Sequence, residues 1–130
     1  MRTYVTIVLL LGGSYWYVTH KVKLDEPLAY AAKHKKASWS PAANYYIGLA
    51  YYQRSDYGKA QDAFRQLLND HTTSHYVEKG LPYFADAAEF TNDWDTVKEV
   101  TLLYTEQYPE GKQIERMRKK LEIARYKRGP

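Results

Sequence analysis

One 34-residue stretch, 41–74, constrains this chain more than any other. Two small residues, Gly48 and Ala60, stand on either side of a polar, glycine-bearing segment that runs from Arg54 through Ser55, Asp56 and Tyr57 to Gly58. Apolar residues recur at helical spacing before and after that segment, so the stretch reads as two helices joined by a tight turn. Small side chains at Gly48 and Ala60 let the two helices approach closely, and the rings of Tyr51 and Phe64 fill the space beside them. Asp56 stands where it can cap the second helix, and Ser40 with Pro41 where they can open the first.

Five of these positions, Ile47, Gly48, Tyr51, Ala60 and Phe64, resemble the signature of a tetratricopeptide repeat, a helix–turn–helix unit of about 34 residues. With Pro41 as the first position, Ile47 and Gly48 fall on the family's Leu-Gly pair. Tyr51 and Phe64 fall on its large aromatics, and Ala60 on the alanine of its second helix. Asn44 departs from the pattern, which often has Trp or another large residue there. A poorer copy, 78–111, follows at an offset of 37: Ala85 falls on Gly48, Ala88 on Tyr51, Asp93 on Asp56, Trp94 on Tyr57 and Val97 on Ala60. Pro109 falls where the family characteristically has proline, whereas Thr101 falls on Phe64 and is a mismatch.

The resemblance implies an all-α fold of stacked helical hairpins with a concave face built from the first helix of each pair. It places Tyr45, Leu49, Tyr52 and Gln53 on that face from one repeat, and Asp86, Glu89 and Phe90 from the next. Such a face is aromatic and acidic, and the partner it implies is a protein segment carrying Lys or Arg with apolar anchors. The same tyrosines suit packing against flanking helices equally well. The Lys/Asn clamp that some family members use for C-terminal carboxylates is absent, because Tyr45 and Leu49 stand in two of its places.

Before the repeats, residues 4–19 carry no charge, with Arg2 ahead and His20, Lys21 and Lys23 behind. Sixteen helical residues span roughly 24 Å, short of a hydrocarbon core of about 30 Å, and extension to Val22 closes most of the gap. Tyr4 at one end and Tyr15, Trp16 and Tyr17 at the other suit the two interfaces of a bilayer. Residues 1–23 are therefore expected to form a membrane anchor. A cleaved signal ending at Ser14 and a buried helix of a soluble domain are the other readings. Lysine density after the segment favours a cytoplasmic domain by the positive-inside rule. The short Met-Arg leader favours export, and the extracytoplasmic, periplasmic side is the expectation adopted.

Residues 24–40 read as a linking helix, or the second helix of a degenerate half-repeat, that starts at Asp25-Glu26-Pro27 and ends near Ala37, and 112–130 as a basic capping helix and tail. In the latter, Ile114, Met117, Leu121 and Ala124 share one face, and Lys and Arg dominate the other. A solenoid needs a terminal helix of this kind to stay soluble. Charge is segregated: +4 over 1–40, −5 over 41–109 and +5 over 110–130. The pI near 9.1 thus reflects the two ends and is no argument for a nucleic-acid partner. Tyrosine is abundant, at 14 of 130 residues, and suits both helix-pair interfaces and recognition grooves. There is no cysteine, which excludes disulfides and thiolate metal sites.

Catalytic patterns are missing. His71 and His75 are four apart, but Thr72 stands where a zincin needs Glu, so no metal site is expected. Asp93 and Asp95 flank Trp94 and read as turn caps rather than as an acid/base pair. No phosphate loop, nucleophile elbow or triad-like grouping is present. The function expected is non-catalytic protein–protein interaction, without cofactor, by a membrane-tethered scaffold or adaptor. The alternative is a permanent accessory subunit of a larger membrane complex, with Gly12-Gly13 allowing close approach of other transmembrane helices.

Overall fold

The computed structural model describes residues 24–127. Within them the chain is all-helical: α1 (Asp25–Lys33), α2 (Ser40–Gln53), α3 (Tyr57–Asp70), α4 (His75–Phe90), α5 (Trp94–Gln107) and α6 (Ile114–Lys127). Among the described residues no helix is long and apolar enough to cross a membrane. The expected anchor, with Tyr4, Tyr15, Trp16 and Tyr17, lies outside the described residues.

Sequential helices pack as neighbours, and α2 also packs on α4, so the first helices of the two hairpins lie side by side. The five signature positions all face inward: Ile47, Gly48, Tyr51, Ala60 and Phe64 are buried between α2, α3 and α4. In the second hairpin Ala85, Ala88, Val97 and Thr101 are each fully buried. Thr101 sits at the Phe64 position without leaving an unmet hydroxyl, because its Oγ1 donates to the Val97 carbonyl at 2.7 Å. Larger side chains nearby, Val100 and Tyr104, supply the missing bulk.

The offset of 37 is carried by the backbone. Asp56 N–H donates to the Tyr51 carbonyl and Asp93 N–H to the Ala88 carbonyl, both at 2.9 Å. Ser55 and Asn92, one offset apart, are the two non-glycine residues with positive φ among those described, at 62° and 58°. The junctions after α1, α3 and α5 match as well. His34, His71 and Tyr108 each donate back to a carbonyl four residues earlier, and Ala37, Ser74 and Gly111 each donate to a carbonyl three earlier. The residues beyond a 34-residue unit therefore lie at the junctions between hairpins.

Helix α6 stands one further offset along, and its outer face differs from those of α2 and α4. Its Met117, Leu121 and Ala124 are buried against the preceding helices. The close-approach position held by Gly48 and Ala85 is Glu122 in α6. The buried positions Asn44 and Tyr51 become Arg118 and Arg125, and all three α6 residues are exposed. A further helix on that face would have to bury three charged side chains, which is costly.

Helix α1 is held by Leu24, Leu28 and the buried Ala31 together with polar clips. The Tyr51 hydroxyl donates to Asp25 Oδ1, and Gln66 Nε2 donates to the Leu28 carbonyl at 3.0 Å and to Asn44 Oδ1 at 2.8 Å. Asn44 is fully buried as part of this clip, and its Nδ2 has no hydrogen-bond partner.

Several local expectations change. Helix α1 ends at Lys33 rather than near Ala37. Ser40 is no cap: it lies within α2, and its Oγ donates to the Ala31 carbonyl at 3.0 Å and meets His71 Nε2 at 3.0 Å. Asp56 occupies the position before α3, but its side chain makes no capping bond, whereas Asp93 Oδ1 accepts from Thr96 N–H at 3.2 Å. Helix α4 begins at His75, three residues ahead of 78, because Ser74 Oγ accepts from Tyr76 N–H at 3.2 Å and caps it there. Pro82 lies inside α4 and cannot donate to the Glu78 carbonyl.

Candidate functional site

The side-by-side arrangement of α2 and α4, with α6 beyond, leaves a cavity of about 430 Å³. Tyr45 comes from α2, His75, Glu78, Lys79, Pro82 and Tyr83 from α4, Tyr104 from α5, and Lys112, Gln113 and Arg116 from the start of α6 and the segment before it. Helical spacing explains the α4 set, since 75, 78, 79, 82 and 83 recur on one face. The volume is within the range of small-ligand and peptide-anchor pockets.

The seven residues expected on the concave face do not act together. Tyr45 lines the cavity; its ring is buried, with 9% exposure, and it meets Tyr76 at 5.4 Å and Phe64 at 6.5 Å between centroids. Leu49 and Tyr52 are half-buried, and Tyr52 packs edge-on against Tyr83 of α4 at 5.2 Å. Gln53 is exposed at the end of α2. Phe90 is exposed and stacks on Tyr57 at 4.6 Å, at the turn end of the hairpins and away from the cavity lining. Tyr52 thus ties α2 to α4, and Tyr45 lines the cavity.

Asp86 and Glu89 differ most from the sequence expectation. Arg116 Nη1 donates to both oxygens of Asp86 at 2.8 and 3.1 Å. Lys120 Nζ lies 3.1 Å from Asp86 and 2.6 Å from Glu89. These carboxylates are engaged by the chain's own α6, so the face is not a free acidic one. The basic run of α6 correspondingly has an inward part, Arg116 and Lys120, besides its solvated part.

Electrostatics of the tyrosines follow burial. Burial pushes the Tyr45 phenol up, helped by the neighbouring phenols of Tyr83, Tyr46 and Tyr76. Burial also raises Tyr52, with Asp86 adding to it. Tyr45 and Tyr52 therefore stay neutral hydroxyl donors near neutrality. Tyr104 accepts from Gln113 N–H at 3.2 Å, whereas the Tyr45 and Tyr83 hydroxyls make no hydrogen bond among the described residues.

Sequence reasoning missed Lys79, Tyr83, Lys112, Gln113 and Arg116 as lining residues. Tyr83 was readable from the offset, since it falls on Tyr46. The convergence of Lys79 with Lys112 was not, because it depends on how α6 folds back over α4. His71 and His75 separate, His71 toward Ser40 and His75 onto the ring of Tyr76 at 4.2 Å. Among the described residues no group of three or more His, Cys, Asp or Glu side chains is placed to hold a metal ion. No protein-family model matches the chain, and no curated protein matches it.

Proposed function

We propose that this protein is a non-catalytic protein–protein interaction module of the tetratricopeptide type, tethered to a membrane by residues 4–19 with its helical domain on the extracytoplasmic side. The observation that carries the reading is the cavity of about 430 Å³ where α2, α4 and α6 meet. Tyr45, one of the residues that the repeat resemblance assigns to partner binding, lines it. The matching turns at Ser55 and Asn92, one offset apart, support a true repeat rather than an arbitrary helical bundle. The five signature residues buried at one interface support it too.

Extraction from native membranes in mild detergent, followed by sizing and mass spectrometry of co-eluting chains, tests this. Substoichiometric co-elution of a protein lost on Tyr45→Ala substitution is expected. Stoichiometric co-elution with integral membrane proteins, unchanged by Tyr45→Ala, would instead make the chain an accessory subunit. Recovery in the soluble fraction without detergent would remove the tether.

A further inference from the structure

The charge of the cavity is opposite to that expected of the concave face. Its cations are Lys79, Lys112, Arg116 and, when protonated, His75; its one acidic lining residue is Glu78. Arg116 is balanced by Asp86. Lys79 and Lys112 are exposed, and neither has an ion-pair partner among the described residues; Lys79 lies 5.7 Å above the Tyr76 ring. Glu78 also faces a second recess, shared with Tyr108, Pro109 and Gly111. Tyr45, nine-tenths buried, and Tyr83 line the cavity too, and neither hydroxyl has a hydrogen-bond partner among the described residues. Four donors without a protein partner, two ammonium groups and two hydroxyls, therefore belong to residues that line one space together with Pro82.

We propose that this cavity takes an acidic segment of a partner protein: an Asp or Glu carboxylate held by Lys79, Lys112 and the hydroxyls of Tyr45 and Tyr83, with a neighbouring aliphatic side chain seated on Pro82. Ammonium and hydroxyl donors suit a carboxylate acceptor, and charge-assisted bonds to it are the strong ones. A lysine-bearing segment would meet two like charges and no free carboxylate except Glu78. The inference rests on the interaction reading and reverses the sign of the partner expected from the sequence.

The test uses the full chain in nonionic detergent and two fluorescein-labelled nine-residue peptides of alternating Glu and Leu or alternating Lys and Leu. Anisotropy should show the acidic peptide binding at least about tenfold tighter than the basic one. The double variant Lys79→Glu/Lys112→Glu should weaken it at least about tenfold, with thermal unfolding unchanged because both lysines are exposed. Lys98→Glu, away from the cavity, should have little effect. Equal or tighter binding of the basic peptide overturns the proposal. So does retained affinity in the double variant, equal loss in the Lys98 control, or no binding of either peptide. Co-elution of a partner protein lost on Tyr45→Ala would leave the interaction reading standing in each of those cases.

Discussion

Gly48 and Phe64 share one volume: a methyl group placed on Gly48 would lie 2.6 Å from Cε1 of Phe64, a ring only 1% exposed. Helix α2 therefore approaches α3 as closely as it does only because position 48 has no side chain. The second hairpin solves the same problem differently. It keeps an alanine at 85 and reduces the facing ring to Thr101, and Val100 and Tyr104 beside it make up the lost volume.

Substituting Gly48→Ala should destabilise the fold by up to about 2 kcal/mol. Overpacking costs about 1–3 kcal/mol and is partly offset by the roughly 1 kcal/mol better helix propensity of alanine. Thermal unfolding should shift down by roughly 5 °C. The double change Gly48→Ala/Phe64→Leu should recover part of that loss, and additive losses would refute the shared-volume account.

Asp86 joins α4 to α6 through Arg116 and Lys120, and the Lys120 side chain is 12% exposed. Asp86→Ala removes one of two carboxylates from a nearly buried ammonium, while Glu89 remains at 2.6 Å. A loss of about 1–3 kcal/mol is expected, less than for a fully buried pair. Proteolysis should begin at the 108–113 junction in this variant. Unchanged cleavage there, by mass spectrometry of the first fragments, would show that the apolar contacts of Met117 and Leu121 hold α6 alone.

The two turns carry left-handed residues of different tolerance. Serine at φ 62° bears a strain of about 1–2 kcal/mol, which glycine relieves at an unfolded-state entropy cost of about 0.4–1 kcal/mol. Ser55→Gly should stabilise by roughly 0.5 kcal/mol. Asparagine accepts this conformation more readily, so Asn92→Gly should be near neutral. Urea midpoints of the two variants decide the order.

Alkaline pH should unfold the protein. Burial and the hydrogen bond to Asp25 hold the Tyr51 phenol well above its ordinary range, and burial raises Tyr45, Tyr52 and Tyr108 too. A group whose pKa is raised in the folded state binds its proton more tightly there. Its stabilisation is whole below the unfolded value, about 10, and falls as pH climbs above it. Urea unfolding between pH 8 and pH 12 should show this decline, and Tyr51→Phe should flatten it while lowering stability at neutral pH through the lost clip to α1. A profile identical to that of the unsubstituted chain would place the alkaline transition elsewhere.

What the sequence by itself determined is local: the helix pairs, the small residues at Gly48 and Ala60, the offset of 37 and the polar outer face of α6. These follow from periodicity over one or two turns and from turn residues, which act between near neighbours in the chain. Tertiary structure decided the rest. Ser40 looked like a cap and became a tie to α1, because a carbonyl of Ala31 lies within its reach. Asp86 and Glu89 looked like a free acidic face until Lys120 of α6 came within 3.1 Å and 2.6 Å of them. Lys79 and Lys112 are 33 positions apart, and only the return of α6 across α4 sets them around one cavity. The physical reason is that long charged side chains choose partners by distance in space, and the crossing of helices sets that distance, whereas spacing along the chain fixes only which face of its own helix each side chain occupies.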